Sequence, residues 1–350
     1  MSEQKKNVNR RFTLKSRPHG EPTNENFNFE SVSVNPESVK DGEVLLRTIY
    51  LSLDPYMRGR MSDRKSYAKS LEIGDVIIGG SVCRVESSKN PKFTEGDYVL
   101  AYGGWQDYHI TAGKECINLG KDPKQPSYAL GILGMPGCTA YMGLLKIGEP
   151  KAGETVVVAA ATGPVGSLVG QIAKIKGCRV IGIAGGKEKC EYAKKEFGFD
   201  ECLDHKDEKL AEKLAEVCPK GIDVYFENVG GKVFDAVLPL LNTKARIPLC
   251  GMVSGYNATE LPKGPVDRLP LLESMILSKR MRVQGFIVTL DFWDQFGEFY
   301  QQMSTWIQDG KVKYLEQIVD GFDKTVDEFR GLLVGKNFGK LVIRLGPDNL

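Results

Sequence analysis

Histidine is scarce in this sequence, and closely paired cysteines are absent from it. The three histidines, His19, His109 and His205, stand far apart, and none of the eight cysteines forms a C-x-x-C pair. A catalytic zinc site needs three Cys, His or acidic ligands, and a structural site needs four clustered ligands. The sequence contains neither pattern, so we expect no metal. A chain of 350 residues is too long to need a disulfide framework, and we expect free thiols.

The sequence also lacks a long apolar run and a surplus of charge. No apolar run approaches the roughly 18 residues of a membrane-spanning helix, and the polar start "MSEQKKNVNRR" does not resemble a signal peptide. We therefore expect a cytoplasmic protein. Lys and Arg number 47 against 45 Asp and Glu, and the surplus is spread along the chain. This balance argues against nucleic acid or an anionic membrane as a partner.

Two kinds of pattern divide the chain, as expected for two domains. From residue 43 to 117, short strand-like runs such as "EVLLRTIYLSL" and "DYVLAY" are separated by Gly, Pro and Asp turns. They predict an antiparallel or barrel-like β domain. After "GMPGCTAYMGLL", strand-like runs such as "TVVVAAA" alternate with helical runs such as "SLVGQIAKIKG". This alternation predicts an α/β fold with a parallel sheet of right-handed β-α-β units.

Local signals predict where several elements begin and end. Gly177 and Gly198 follow predicted helices and suit left-handed helix caps. Towards the C-terminus, "RMRVQGFIVTL" predicts a strand and "FWDQFGEFYQQMSTWIQDGKV" an amphipathic helix. The strand-like "KLVIRL" has no partner in the α/β region, so we expect the C-terminal segment to return to the first domain.

A glycine-containing turn lies between an apolar strand beginning at Thr155 and an amphipathic helix, and the strand "CRVIGIAG" follows. Dinucleotide folds use this order, because glycine lets the backbone approach the pyrophosphate and the helix N-terminus offers amides to it. Set against G-x-G-x-x-G, residues 161–166 are ATGPVG, with alanine for the first glycine. An ordinary strand-to-helix turn is the alternative reading. The complete β-α-β unit within about 30 residues favours dinucleotide binding.

The end of the second predicted strand favours NADP over NAD. An NAD site usually has an acidic residue there, about 20 residues past the loop, which binds the adenosine ribose. Residues 184–186 are instead Ala-Gly-Gly, and Lys187 and Lys189 follow as possible partners for a 2′-phosphate. The run "KEKCEYAKKE" is also typical of a solvated helix face, and Lys187 fits that interpretation better.

Motifs along nearly the whole chain resemble those of one family. They are "YLSLDPYMRGRM", "GMPGCTAY", "AAATGPVGSLVGQIAK", "ENVGG", "CGMVSGYN", "QGFIV" and "GKNFGK". With them the chain resembles the zinc-independent medium-chain dehydrogenases/reductases, in the group of 2-alkenal reductases, leukotriene B4 dehydrogenases and prostaglandin reductases. "SRPHG" and "SGYNATELP" are most similar to bacterial NADPH-dependent curcumin reductases. No Gly-His-Glu run stands in "GDVIIGGSVCRV", and without a zinc Lewis acid, reduction of a carbon-carbon double bond is favoured over alcohol oxidation.

The resemblance implies a Rossmann domain, a doubly wound parallel sheet at residues 134–304 that binds NADP(H). It is inserted into a GroES-like, partly open β-barrel catalytic domain of residues 1–133, completed by 305–350. His205 stands where this group often carries tyrosine beside the adenosine phosphate. The resemblance assigns cofactor binding to Thr162, Gly163, Pro164, Val165 and Gly166 at the pyrophosphate, Lys189 at the 2′-phosphate, Asn228 at the ribose or phosphate region, Cys250, Gly251, Met252, Val253, Ser254, Tyr256, Phe286, Ile287 and Val288 on the nicotinamide side, and Asn337 from the C-terminal segment.

The same resemblance nominates Tyr56 and Tyr256 for catalysis. When a hydride adds to the β carbon of an enone, negative charge collects on the carbonyl oxygen, and a donor there lowers the barrier. A phenol with its reference pKa of about 10 can donate at neutral pH. Tyr56 is expected at the substrate carbonyl and Tyr256 beside the nicotinamide ribose or the substrate. Chemistry alone does not select two of 13 tyrosines, because buried, merely satisfied tyrosines are common.

The expected activity is NADPH-dependent reduction of the carbon-carbon double bond of α,β-unsaturated carbonyls, such as 2-alkenals, enones and curcumin. Quinone reduction and a non-catalytic cofactor-binding role are the alternatives. Both nominated tyrosines are present, which favours an enzyme. The resemblance also implies a homodimer formed edge to edge by the Rossmann sheets, with a small molecule as substrate.

Overall fold

A computed structural model describes residues 7–259 and 268–346, and these residues form two compact units. The first unit contains the described residues up to 130, together with 317–337 and those from 341 onward. The second contains the described residues of 131–316, together with 338–340. Among the described residues, no helix combines the length and apolar character needed to cross a membrane.

The first unit is mainly β-structure. Its elements are β1 (Asn7–Leu14), β2 (Phe27–Val34), β3 (Val44–Ser52), α1 (Tyr56–Arg60), β4 (Ser81–Ser88), β5 (Tyr98–Ala101), β6 (Tyr108–Thr111), β7 (Ile117–Gly120), β14 (Glu316–Asp320), α10 (Thr325–Leu333) and β15 (Lys340–Arg344). β1 and β2 form an antiparallel ribbon. The larger sheet has the order β14-β15-β3-β4-β5-β7, with β6 also paired to β3.

Strand β3 is the centre of the larger sheet, because β15, β4 and β6 all pair with it in antiparallel fashion. Its side chains are buried from Val44 to Ser52, which agrees with the mainly apolar character of this stretch. β15 is the predicted C-terminal strand, and Val342 pairs with Ser52. The expected return of the C-terminal segment to the first domain is therefore confirmed.

Aromatic packing fixes α10 and the turn before it in the first unit. The ring of Phe322 lies 5.0 Å from that of Phe12, and the ring of Phe329 lies 5.3 Å from that of Trp105. Trp105 is fully buried and also stacks on Phe27 at 5.8 Å. Burial of such large rings is among the strongest contributions to a core, so the C-terminal segment is an integral part of this unit.

The second unit is an α/β structure. Its elements are α2 (Met135–Met142), which continues as a π-helical turn (Gly143–Gly148), β8 (Thr155–Ala159), α3 (Gly166–Ile175), β9 (Arg179–Ala184), α4 (Lys187–Phe197), β10 (Glu201–Asp204), α5 (Leu210–Val217), β11 (Ile222–Phe226), α6 (Gly231–Val237), β12 (Leu241–Leu249), α7 (Leu269–Lys279), β13 (Arg282–Gly285), α8 (Val288–Asp291) and α9 (Phe296–Gln308). The sheet has the order β10-β9-β8-β11-β12-β13, and every neighbouring pair is parallel. The predicted doubly wound Rossmann sheet is confirmed.

The predicted helix ends are confirmed. Gly177, two residues past α3, has φ +79°, and Gly198, the cap of α4, has φ +70°. Glycine adopts this left-handed conformation without the steric cost that a Cβ brings. These caps let the chain turn directly into β9 and β10.

Two features near the end of the second unit bear on the sequence predictions. β13 is shorter than "RMRVQGFIVTL" suggests, because the carboxylate of Asp291 accepts a hydrogen bond from the Ile287 amide (2.7 Å) and starts α8. The ring of Trp306 in α9 lies 5.9 Å from that of Tyr141 in α2. This packing anchors α9 in the second unit, which extends to Glu316. The functional domains proposed above, divided at 133/134 and 304/305, remain a prediction.

Candidate active site

Four predicted cofactor-binding segments follow adjacent strands of the second unit. Residues 162–166 follow β8, Asn228 follows β11, residues 250–256 follow β12 and residues 286–288 follow β13. Because the strands are parallel, their carboxyl ends lie at one edge of the sheet. From β8 the sheet continues through β9 to β10 on one side, and from β11 it continues through β12 to β13 on the other. Such a switch point is where open α/β sheets bind ligands.

The turn between β8 and α3 requires glycine at one position in particular. A methyl group on Gly166 would lie 2.2 Å from the carbonyl oxygen of Ala160, whereas one on Gly163 would lie 3.2 Å from it. Ala160 itself has φ +53°, a conformation that costs an L-residue about 1–2 kcal/mol. Sequence reasoning missed Ala160, because alanine gives no signal for a left-handed turn.

The same turn offers unused backbone donors. Gly163 donates to Ala160 at 2.9 Å, but among the described residues the amides of Thr162, Val165 and Gly166 donate no backbone hydrogen bond. They precede or open α3, a helix of 10 residues, whose N-terminus carries a partial positive charge. Free amides, a helix N-terminus and a glycine that admits close approach fit a pyrophosphate.

Basic residues follow β9, where the sequence predicts the 2′-phosphate of NADP. Lys187 is exposed, whereas Lys189 is half-buried. Burial, with help from the charge of Lys206, lowers the pKa of Lys189. A methyl group on Gly185 would lie 2.9 Å from Nε2 of His205, so this imidazole covers the glycine at the strand end. Lys206 is therefore a neighbour of Lys189 that the motifs do not indicate, and His205 lies against Gly185 at the end of β9.

Asn228 and Glu227 shape the turn after β11. The Asn228 side-chain amide donates to the carbonyl of Ala159 in β8 (2.8 Å). Oε1 of Glu227 accepts from the amides of Val229 (2.6 Å) and Gly230 (2.9 Å), and Glu227 is 2% exposed. Sequence reasoning missed Glu227, although an acidic residue directly after a buried strand in "ENVGG" is a usable signal.

The segment 250–256 is bound to this turn through its main chain. Val253 donates to the carbonyl of Asn228 and Ser254 to that of Val229, both at 3.1 Å. A methyl group on Gly251 would lie 3.0 Å from the hydroxyl oxygen of Tyr256, so this phenol folds back over its own segment. Of the predicted residues here, Met252 is exposed and Cys250 half-buried. Burial, followed by the charge of Glu227, raises the pKa of Cys250 to about 12.

The segment after β13 presents mainly its backbone. The ring of Phe286 is 7% exposed and packs at 6.3 Å against both Phe226 and Phe292. Val288 is buried as well, and Ile287 is half-buried. Since the Phe286 ring belongs to the core, any contribution of that residue to cofactor binding comes from its main chain.

In the first unit, Tyr56 is the first residue of α1 and is half-buried. Burial, then the charge of Asp54, raises the pKa of Tyr56 above its ordinary value, so the phenol is protonated at neutral pH. No hydrogen bond among the described residues uses the Tyr56 hydroxyl. Arg58, also in α1, donates to the carbonyls of Pro18 (3.2 Å) and Gly20 (2.8 Å). These bonds hold the "SRPHG" loop against the helix.

Asn337 lies between α10 and β15 and is half-buried. The next residue, Phe338, belongs to the second unit, and its ring lies 5.0 Å from that of Tyr192 in α4. Lys189 lies on the same helix, one turn earlier. Asn337 is therefore adjacent in sequence to a residue anchored on the helix that carries Lys189.

No group of three or more His, Cys, Asp or Glu within the described part of the chain could hold a metal ion.

Known proteins resemble this chain over most of its length. Residues 10–119 match the family described as "N-terminal domain of oxidoreductase", and residues 164–308 match "Zinc-binding dehydrogenase". The chain is 60% identical over 346 residues to NADPH-dependent curcumin reductase of Escherichia coli (strain K12), covering 99% of each chain. It is 41% identical to the NADP(+)-dependent 2-alkenal reductase of Nicotiana tabacum, covering 97% of this chain and 98% of the relative.

A solved structure agrees with the fold along nearly the whole chain. The crystal structure of CurA from Vibrio vulnificus in complex with NADPH has 59% sequence identity and a TM-score of 0.93, and covers 97% of this chain and 99% of its own. The chain therefore belongs to the medium-chain dehydrogenase/reductase family, in the group of 2-alkenal and curcumin reductases that its motifs resemble.

Proposed function

We propose that this protein reduces the carbon-carbon double bond of α,β-unsaturated carbonyls, such as 2-alkenals, enones and curcumin, with NADPH. The observation that carries the proposal is that four predicted segments follow four adjacent parallel strands, two of which flank the switch point of the sheet. It is supported by 60% identity, over 99% of the chain, to a protein named NADPH-dependent curcumin reductase. Residues 134–304 form the proposed cofactor domain, and residues 1–133 with 305–350 form the proposed catalytic domain.

The cofactor proposal assigns a separate task to each segment. The amides of Thr162, Val165 and Gly166 bind the pyrophosphate, and Lys189 binds the 2′-phosphate. Residues 228, 250–256, 286–288 and 337 bind the ribose and nicotinamide parts. When bound, NADPH supplies the hydride that adds to the β carbon of the substrate.

The catalytic proposal assigns proton and hydrogen-bond roles to two tyrosines. Tyr56 donates a hydrogen bond to the substrate carbonyl oxygen, where negative charge develops. Its raised pKa keeps the proton on the phenol, so that the donor is present throughout the reaction. The α carbon then takes a proton from Tyr256 or from water.

We also propose a cytoplasmic homodimer. Strand β13 is the outer strand of its sheet, and Leu277 and Leu269 of the preceding α7 are 81% and 58% exposed. Among the described residues β13 pairs only with β12, and an open strand edge together with exposed leucines in the same unit favours association with a second copy. The free cysteines would remain reduced in the cytoplasm. Light scattering coupled to gel filtration tests the assembly, and a monomeric mass at micromolar concentration would contradict it.

The central experiment supplies NADPH or NADH with a panel of 2-alkenals, enones, curcumin and quinones, and identifies the products by mass spectrometry. Saturated carbonyl products with NADPH are expected. Turnover of quinones alone would replace the proposal with quinone reductase activity. Tight NADPH binding without turnover of any compound would indicate a non-catalytic cofactor-binding protein.

A further inference from the structure

Glu227 lies at the carboxyl end of β11, which is one of the two strands that flank the switch point of the sheet. Glu227 directly follows β11 and is 2% exposed. Its main chain is hydrogen-bonded to β12, because its amide donates to Pro248 (3.0 Å) and its carbonyl accepts from Cys250 (2.9 Å). The position of this residue is therefore set by the sheet, and its side chain is free to shape the turn that follows.

One carboxyl oxygen organises that turn. Oε1 of Glu227 accepts hydrogen bonds from two successive amides, those of Val229 and Gly230. These bonds fold residues 228–230 back over the side chain, with Gly230 in a left-handed conformation (φ +76°). The fold of this turn directs the Asn228 amide to Ala159. It also directs the Asn228 and Val229 carbonyls to the segment 250–256.

The other carboxyl oxygen has no such role in the described part of the chain. Oε2 of Glu227 and the hydroxyl of Tyr225 are both buried, and burial, the charge of Glu227 and hydrogen bonding to Glu227 together raise the pKa of Tyr225. Burial raises the pKa of Glu227, although hydrogen bonds from the amides of Gly230 and Val229 and from the Tyr225 hydroxyl act in the opposite direction. A buried carboxyl group is costly for stability unless hydrogen bonds satisfy it.

We propose that Glu227 is a positioning residue for NADPH: by holding residues 228–230, it sets the surface that the turn after β11 and the segment 250–256 present to the cofactor. The inference rests on the proposed function only for the identity of the ligand. The proposed role depends on the two hydrogen bonds that the amides of Val229 and Gly230 donate to Oε1, and it does not depend on the negative charge of the carboxyl group. Glutamine keeps that reach without the charge, whereas aspartate keeps the charge and shortens the reach.

The test compares NADPH dissociation constants of the full chain, measured by calorimetry without substrate, for wild type, Glu227→Gln, Glu227→Asp and Glu227→Ala. We expect Glu227→Gln to bind within about threefold of wild type and Glu227→Ala at least about tenfold more weakly, as the loss of a buried acceptor for two amides implies. Glu227→Asp should lie between them.

A matched control separates positioning from general destabilisation. Glu154 precedes β8 at the opposite edge of the same sheet, and its carboxylate pairs with Arg246 (3.1 Å, Oε1 to Nη1). Glu154→Ala should lower the melting temperature of the ligand-free protein but leave the NADPH dissociation constant within about twofold.

Each outcome decides between the proposals. If Glu227→Ala binds NADPH as tightly as wild type, the inference about Glu227 is overturned and the proposed function is unaffected. If Glu227→Ala does not fold, the comparison of Gln with Asp decides, and aspartate binding NADPH as well as glutamine overturns it. A wild type that binds NADPH but turns over no enone leaves the inference standing and removes the proposed reaction. A wild type that does not bind NADPH removes both.

Discussion

The side-chain amide of Asn228 donates a 2.8 Å hydrogen bond to the carbonyl of Ala159, joining the ends of β11 and β8 at the switch point of the sheet. Ala159 immediately precedes the left-handed Ala160, where the glycine-containing turn begins. One side chain therefore couples the proposed pyrophosphate site to the turn that supports the segment 250–256.

Removal of this bond should weaken NADPH binding. We expect Asn228→Ala to raise the dissociation constant about tenfold, because a turn that lines the cofactor loses its tie to β8. Asn242 is the control: its amide donates to the Lys220 carbonyl (3.0 Å) and to Asp223 (2.8 Å), at the amino ends of β11 and β12. Asn242→Ala should leave the affinity unchanged, and equal losses in both variants would contradict the prediction.

Substitution of Gly166 should disturb both the turn and the cofactor site. Its new methyl group would lie 2.2 Å from the Ala160 carbonyl oxygen, so the backbone must move. We expect Gly166→Ala to lower the melting temperature and to weaken NADPH binding at least about tenfold. Gly297 of α9 has open space around it, and Gly297→Ala should stabilise the fold by about 0.5–1 kcal/mol. Unchanged NADPH binding by Gly166→Ala would argue against the proposed pyrophosphate site.

The half-buried Lys189 should determine the preference for NADPH over NADH. We expect Lys189→Ala to reduce the ratio of kcat/KM for the two cofactors by about 10- to 100-fold, mainly through KM for NADPH. The difference should shrink only modestly at high salt, because a half-buried charge is screened less than an exposed one. Lys187→Ala is the control on the same helix and should have little effect. If only Lys187→Ala loses the preference for NADPH over NADH, the 2′-phosphate is bound by Lys187 rather than Lys189.

Replacement of the Tyr56 hydroxyl should slow the reaction while cofactor binding persists. We expect Tyr56→Phe to lower kcat for enone reduction by about 10²–10³-fold, the usual effect of losing a donor to a developing oxyanion, with no change in the NADPH dissociation constant. Tyr256→Phe should also lower kcat if it donates the proton to the α carbon. Tyr108→Phe, another half-buried phenol of the first unit, is the control. Full activity in Tyr56→Phe would exclude the proposed role.

His109 should make the fold sensitive to acid. Burial lowers its pKa to about 4, and Nδ1 is buried without a hydrogen-bond partner. Since the unfolded state takes up the proton near its reference pKa of 6.5, stability is complete above that pH and is lost as the pH falls towards 4. The full effect is about 3 kcal/mol.

Urea unfolding between pH 7 and pH 4.5 measures this loss. His109→Gln should flatten the pH dependence, because the titrating group is gone. His205→Gln, which removes an exposed histidine, should leave the dependence as in wild type. A wild-type slope that persists in His109→Gln would assign the acid sensitivity to another group.

Much of the architecture followed from local patterns in the sequence. Alternating apolar strands and amphipathic helices predicted the parallel sheet of the second unit, and Gly177 and Gly198 predicted the helix ends. The unpartnered "KLVIRL" predicted a return to the first unit, which the pairing of β15 with β3 confirmed. These features depend on residue type and spacing over a few turns or strands, which is what a sequence records directly.

Other features depended on contacts between distant residues. The left-handed Ala160 is set by the turn around Gly166, and the turn-forming bonds of Glu227 follow from its burial at the end of β11. The ring of Phe286 enters the core rather than the site, although its motif alone did not distinguish ring from backbone. The sequence thus determined the elements and the candidate segments, whereas tertiary packing decided which atoms of each segment are buried and which are available to a ligand.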